Sequence, residues 1–194
     1  MNLHALLPWI LIAQGVVGGW DTIYNHEWIE RLPQRPSARA EIGVHSLREL
    51  NYACLFAGLA WFEWHGAATW IVIAMVAFEV VVTCWDEFIE NATRVLAPNE
   101  RILHLLLAMN LGVIALLVVV LAANWMPLPT ALAASGLAPA WRWPISALAI
   151  ASLAWSVRDA FAWWWLRPVV RRRTVLRVVQ PAVPRAVPGK IARR

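Results

Sequence analysis

Five apolar stretches, each bounded by charge or proline and each long enough to cross a bilayer, constrain this chain more than any other feature. A hydrocarbon core about 30 Å thick takes about 20 helical residues. The first stretch runs from Leu3 to Trp20, with the helix continuing to Glu30, and the second from Val44 to Trp64, in a helix starting near Ser37. The third runs from Ala67 to Trp85 and extends to Arg94, the fourth covers Ile102 to Trp125, and the fifth covers Pro144 to Leu166. The expectation is an all-α integral membrane protein with spans at about 3–30, 37–64, 67–94, 99–125 and 143–166. Composition agrees: 60% of residues are apolar and only 15% charged, where a soluble domain has about 25% charged. The mean hydropathy is +0.56. A soluble enzyme domain is excluded. So is a disulfide-stapled module, because Cys54 and Cys84 are the two cysteines and both lie in apolar runs.

Short connections between the first four stretches predict an up-down four-helix bundle, with the fifth helix packed beside it. Sorting the loops onto two sides puts Arg31, Arg35, Arg39, Arg94 and Arg101 on one side and Arg142 on the other. The segment 167–194 joins the first side with nine bases and no acid, leaving eight bases against twelve acids in the rest of the chain. The excess of Arg on one side predicts an amino terminus outside and a carboxyl terminus in the cytoplasm, as in a bacterial inner membrane. The residues before the first stretch contain no Lys or Arg and so lack the n-region of a cleavable signal peptide. Trp28 and Trp85 at one end, and Trp61, Trp64, Trp70, Trp125 and Trp141 at the other, predict interfacial belts. The run Trp163 to Trp165, followed by Arg167 and Arg171 to Arg173, reads as a lipid-binding anchor rather than a nucleic-acid site. Pro181, Pro184 and Pro188 predict a disordered end to the basic cytoplasmic tail.

Ionisable residues inside spans are costly and tend to be functional. In an up-down order, the end of the first helix, the start of the second, the end of the third and the start of the fourth share one side. Asp21 and His26 then meet Glu41, His45, Arg48 and Glu49, together with Glu79, Asp86, Glu90 and Arg94, and Glu100 and His104. At 1.5 Å per residue, His26, Glu41, His45, Asp86, Glu90 and His104 fall about 6–13 Å below the cytoplasmic ends, with Glu100 just above them. Glu41-x-x-x-His45 and Glu100-x-x-x-His104 each put a carboxylate and an imidazole on one helix face, and Asp86-x-x-x-Glu90 repeats the spacing.

Carboxylate plus imidazole suits iron, manganese or zinc. The expected metal ligands are Glu41, His45, Asp86, Glu90, Glu100 and His104, with His26 as an acid/base group or further ligand. Asp21, Arg48, Glu49, Glu79, Arg94, Arg158 and Asp159 are expected to support them or to extend a proton path. The ligand set parallels that of soluble di-iron bundles, but those use Glu-x-x-His. Here the spacing is one residue longer, so the parallel is chemical. Neither HxxxH nor HxxHH occurs. Taken singly, Glu41 and Glu100 also fit as first-turn acids complementing a helix dipole, and Arg158 and Asp159 fit a structural ion pair.

The leading expectation is a membrane-embedded metal-dependent oxidoreductase with one or two transition-metal ions, iron foremost. It would act on a lipidic or apolar substrate and draw electrons from a cytoplasmic donor, since no flavin, haem or nicotinamide motif is present. The alternatives are a small proton- or ion-conducting or accessory membrane protein, and a metal-assisted hydrolase.

Overall fold

The computed structural model describes residues 3–166; the expected basic tail lies outside them. The described chain is mostly helical. Its five long α-helices are α1 (Leu3–Asp21), α2 (Arg39–Trp61), α3 (Thr69–Thr93), α4 (Pro98–Trp125) and α5 (Pro139–Trp165). Four segments are long and apolar enough to cross a membrane: Ala5–Ile29, Gly66–Thr93, Pro98–Trp125 and Pro139–Trp165. Between them α2 carries Arg39, Glu41, Arg48 and Glu49, and buries Glu41 and His45 inside the protein.

The apolar core lies away from these charges. Leu7 and Leu11 of α1 meet Leu55, Phe56 and Leu59 of α2, Val72 and Val76 of α3, Ile114 and Leu117 of α4, and Ile145 of α5. Outward-facing residues are also apolar, including Trp70, Val81, Phe88, Leu105, Leu116 and Phe161, as expected for helices whose outer surface meets lipid. Trp28, Trp85 and Trp70 are exposed as a belt requires, but Trp125 is buried in the core.

Helix packing departs from a bundle of four with a fifth helix outside it. The most extensive contact is between α2 and α5, and α5 also packs on α1. Together with the α1–α4, α4–α3 and α3–α2 contacts, this closes a ring in which α5 stands between α1 and α2. Small side chains explain the close α2–α5 approach. A Cβ on Gly43 would lie 2.8 Å from Trp163 Cδ1. Ser46 Oγ donates to the Ser156 carbonyl at 2.9 Å, and Ser156 Oγ returns the bond to the Ser46 carbonyl at 2.8 Å.

Two local features differ from uniform helix. Helix α2 ends at Trp61, short of the expected Trp64, and Phe62–His65 forms strand β1. It pairs antiparallel with β2 (Ala131–Ala134), Phe62 opposite Ala134 and His65 opposite Ala131. The pairing satisfies backbone groups of the four residues that follow the helix end. Gly66 closes the turn after β1 at φ +56°, where a Cβ would meet Thr130 Oγ1 at 2.6 Å.

The other feature follows α1. From Thr22 to Ile29 the chain continues to the expected end near Glu30, but as a π-helix. Its last bond runs from Glu30 N–H to the Asn25 carbonyl at 2.8 Å, an i to i−5 bond. Arg31 then turns the chain with φ 50°.

Candidate metal centre

The π-helical winding decides what the end of the first helix presents. In an α-helix, residue i+4 lies under residue i; i→i+5 bonding brings residue i+5 onto that face as well. Asp21, Asn25 and His26 are all buried. Asn25 Nδ2 donates to Asp21 Oδ1 at 2.6 Å, and Asn99 Nδ2 of α4 donates to Asn25 Oδ1 at 2.9 Å. The amide thereby fixes Asp21 and ties the π segment to α4. His26 is left pointing at α2, α3 and α4.

Three imidazoles meet there. The His26 and His45 rings stack with centroids 4.5 Å apart, and His104 stands edge-on to His26 at 6.3 Å. His26 Nε2 lies 3.5 Å from Glu100 Oε1 and 3.7 Å from Asp21 Oδ2. His104 Nε2 lies 3.1 Å from Asp21 Oδ2, while its Nδ1 lies 3.2 Å from Glu87 Oε1 and 3.3 Å from Glu90 Oε2. His45 Nε2 is 3.1 Å from Asp86 Oδ2 and 3.8 Å from Glu90 Oε1.

Three groups have potential ligand atoms within 4.8 Å of one another: Asp21, His26, Glu100 and His104; His26, His45 and Glu90; and Glu87, Glu90 and His104. Ligands about 2.0–2.2 Å from an ion lie about 3.3–3.6 Å apart in a tetrahedral site and about 4.4 Å apart when opposite one another, so each group would draw inward to close on an ion. The groups overlap through His26, Glu90 and His104.

Two guanidiniums divide the remaining carboxylates. Arg94, just past the end of α3, makes a two-pronged contact with Glu100 at 2.6 and 2.8 Å and reaches Glu41 at 2.8 Å and Glu90 at 3.4 Å. Burial opposes its charge, but hydrogen bonds to Glu100 and Glu41 outweigh that and hold its pKa above the ordinary arginine value. Arg48 bonds Asp86 at 2.5 Å and Glu79 at 3.2 Å. Asn51 Nδ2 donates to the other Glu79 oxygen at 3.0 Å.

Charge and hydrogen bonding both remain unbalanced after these contacts. Among the described residues, Asp21, Glu41, Glu79, Asp86, Glu87, Glu90 and Glu100 face only Arg48 and Arg94 as permanent cations, an excess of five negative charges if all seven are ionised. Three imidazolium rings would still leave two. Neither nitrogen of buried His26 has a hydrogen-bond partner, nor do Glu41 Oε2, Asp86 Oδ1 and Glu90 Oε2. A buried polar atom left open costs about 1–3 kcal/mol. Carboxylate oxygens and an imidazole lone pair left open together match the donor set of a divalent transition metal.

The centre lies at the head of a cavity of about 220 Å³ that all five helices line. His26, His45, Glu87 and His104 border its polar end, and Tyr52, Phe56, Leu107, Leu111 and Leu148 its apolar body.

Each expected residue has a definite place. His45, Glu90, Glu100 and His104 join the metal-capable groups. Glu41 and Asp86, expected as ligands, are held by Arg94 and by Arg48 with His45, respectively. His26 and Asp21 stand among the ligand candidates themselves, and Glu87, not expected at all, joins them. The only signal for Glu87 is its position beside Asp86, three residues before Glu90. Arg158 pairs with Glu27 and Asp159 rather than with Glu79 or Glu49, and Glu49 lines the cavity with Oε2 unpartnered. Free Cys54 and Cys84 are both exposed.

The chain matches no family model, no curated protein and no solved structure.

Proposed function

We propose that this chain is a membrane-embedded, metal-dependent oxidoreductase acting on an apolar substrate held in the five-helix cavity. In this reading all five helices cross the membrane in up-down order, with the amino terminus outside and the carboxyl terminus in the cytoplasm. The charges of α2 are then carried inside the ring and never meet lipid. The observation that carries the proposal is His26: buried, without a hydrogen-bond partner among the described residues at either ring nitrogen though within 3.5–3.7 Å of Glu100 and Asp21, shared by two groups of carboxylate and imidazole ligands, and bordering the cavity.

Iron is the ion we favour, because mixed carboxylate and imidazole ligands suit its redox chemistry, with manganese as a substitute. The overlap of the ligand groups through His26, Glu90 and His104 would let these residues hold one ion or two. For hydroxylation of a C–H bond, dioxygen gives one oxygen atom to the product and one to water. Two electrons and two protons complete the balance, the electrons coming from a cytoplasmic donor protein. Within the chain, Glu87 is the partly exposed carboxylate next to His104 and can relay those protons; Arg94 and Arg48 hold Glu41, Glu100, Asp86 and Glu79 in place.

A proton or ion pathway needs polar groups free to exchange partners below the centre. Both oxygens of Glu79, the deepest acid of the cluster, are taken by Arg48 and Asn51. That argues for a fixed support at Glu79 and leaves Glu49, whose Oε2 lines the cavity without a hydrogen-bond partner, as the acid a pathway would use.

The test is the optical and paramagnetic resonance spectrum of the purified protein before and after reduction with dithionite. The proposal expects iron signals that change on reduction and return with dioxygen. A colourless protein holding redox-inert zinc would favour a hydrolase, and a protein that takes up no metal would favour the ion-pathway reading.

A further inference from the structure

The seam between α1 and α5 is closed at two levels and open between them. The two helices run side by side in a constant register. Trp9 meets Trp141 with ring centroids 4.6 Å apart, Gly15 meets Leu148, and Glu27 pairs with Arg158. At Gly15 the contact is so close that a Cβ would lie 2.6 Å from Leu148 Cδ1. One turn further on, a Cβ on Gly19 would meet nothing within 4 Å. Gly19, Ile23 and Ala151 all line the cavity and are exposed on the outer surface. From the Gly15 contact to the Glu27–Arg158 pair is about 18 Å along the helix.

Among the described residues, two further cavity-lining residues carry a buried polar atom without a hydrogen-bond partner. The atoms are Trp155 Nε1 on α5 and Glu49 Oε2 on α2. An indole N–H can only donate, and a carboxyl oxygen that carries no proton can only accept. Trp155 adjoins Ser156, and Glu49 lies three residues beyond Ser46; these are the two serines whose hydroxyls bond α5 to α2. A hydroxyl group can accept from an indole and donate to a carboxyl oxygen. The same cavity is lined by Gly18, Gly19 and Ala151, whose small side chains leave room for a methylene chain.

We infer that the α1–α5 seam is a lateral window through which a single-chain amphiphile bearing a hydroxyl group, of the long-chain alcohol class, enters from the lipid. Its hydroxyl binds between Trp155 and Glu49, its chain lies against Gly18, Gly19 and Ala151, and the Glu27–Arg158 pair bounds the window on the side of the metal centre. This names the substrate class for the cavity and rests on the proposal that the cavity is the substrate site.

The test uses the full chain in lipid nanodiscs with a long-chain alcohol carrying a diazirine on its chain, and reads covalent labelling by peptide mass spectrometry. Labelling is expected on α1 and α5 around Gly19 and Ala151. Gly19→Phe, which fills the window without a clash at Cβ, should reduce it about tenfold. Gly112→Phe on α4, equally free of neighbours within 4 Å, should leave it unchanged. The corresponding diazirine alkane should label about fivefold less, the worth of one hydrogen bond, and Trp155→Phe should remove that preference.

Labelling that spreads over all outer faces alike, or that survives Gly19→Phe, overturns the window. Equal labelling by alcohol and alkane overturns the hydroxyl site. Metal content of the same samples separates the two proposals: metal bound with no window labelling leaves the centre standing alone. Window labelling without metal leaves a lipid site whose chemistry is not redox.

Discussion

Replacing Arg94 with Gln removes the cation shared by Glu41, Glu90 and Glu100 while keeping a polar side chain. All three carboxylates are fully buried, and the Arg94 side chain is only 10% exposed. Taking one partner from a buried ion pair costs about 3–5 kcal/mol, because the other charge stays behind without compensation. Here at least the Glu41 and Glu100 charges lose their closest donors, so the cost should lie at the upper end. For a chain of this size about 1 kcal/mol moves the midpoint of unfolding by about 2–4 °C, which makes the expected drop about 6–20 °C. The assay is thermal unfolding in detergent at neutral pH, followed by tryptophan fluorescence. Arg94→Lys should fall between wild type and Arg94→Gln, since an ammonium keeps the charge but cannot reproduce the two-pronged contact with Glu100. Arg101→Gln, at an exposed position on the same end, should change the midpoint by less than about 2 °C. If Arg94→Gln unfolds within about 2 °C of wild type, the carboxylates do not depend on the guanidinium, and the charge balance derived for the centre is wrong.

Three further outcomes are expected. His26→Ala, His45→Ala and His104→Ala should each lower bound metal by at least half, measured by elemental analysis after equal purification. His65→Ala should not, because His65 sits in β1 beside Glu63, away from the centre. Gly15→Val should destabilise by about 1–3 kcal/mol through overpacking against Leu148, whereas Gly112→Ala should be neutral or stabilising by up to about 1 kcal/mol; thermal unfolding compares the two. Reporter fusions after Gly66 and after Pro139 should read outside the membrane, and fusions after Pro36 and Pro98 cytoplasmic; a cytoplasmic reading at Gly66 would contradict the proposed orientation.

Much of the centre is legible because topology alone gathers it. Once four helices are joined by short turns, the end of α1, the start of α2, the end of α3 and the start of α4 must share a side, and their acids and histidines come with them. What periodicity could not reveal depends on departures from regular winding and on side-chain reach. An α-helical reading gives Asp21 and Asn25 a common face and leaves His26 to one side; the π segment brings His26 inward to the middle of the cluster. Spacing makes Glu41 and His45 look like one ligand pair, but a long guanidinium from beyond α3 takes Glu41 first. Glu41 and Glu100 were also candidates for simple dipole partners at the helix starts, and their complete burial against Arg94 gives them a different role. The insertion of α5 between α1 and α2 follows from the small faces of Gly43, Ser46 and Ser156, which hydropathy does not weigh. The β1–β2 pairing rests on backbone groups at a helix end, where the apolar pattern is silent.

Metal stoichiometry of the wild-type chain, purified gently from membranes without chelator, tests the central claim most directly. One to two equivalents of transition metal per chain, iron before manganese or zinc, should be retained through gel filtration. A protein that emerges without transition metal, and binds less than about a tenth of an equivalent when iron, manganese and zinc are each supplied in excess, would contradict the claim. The buried histidines and carboxylates would then be balanced by protons alone.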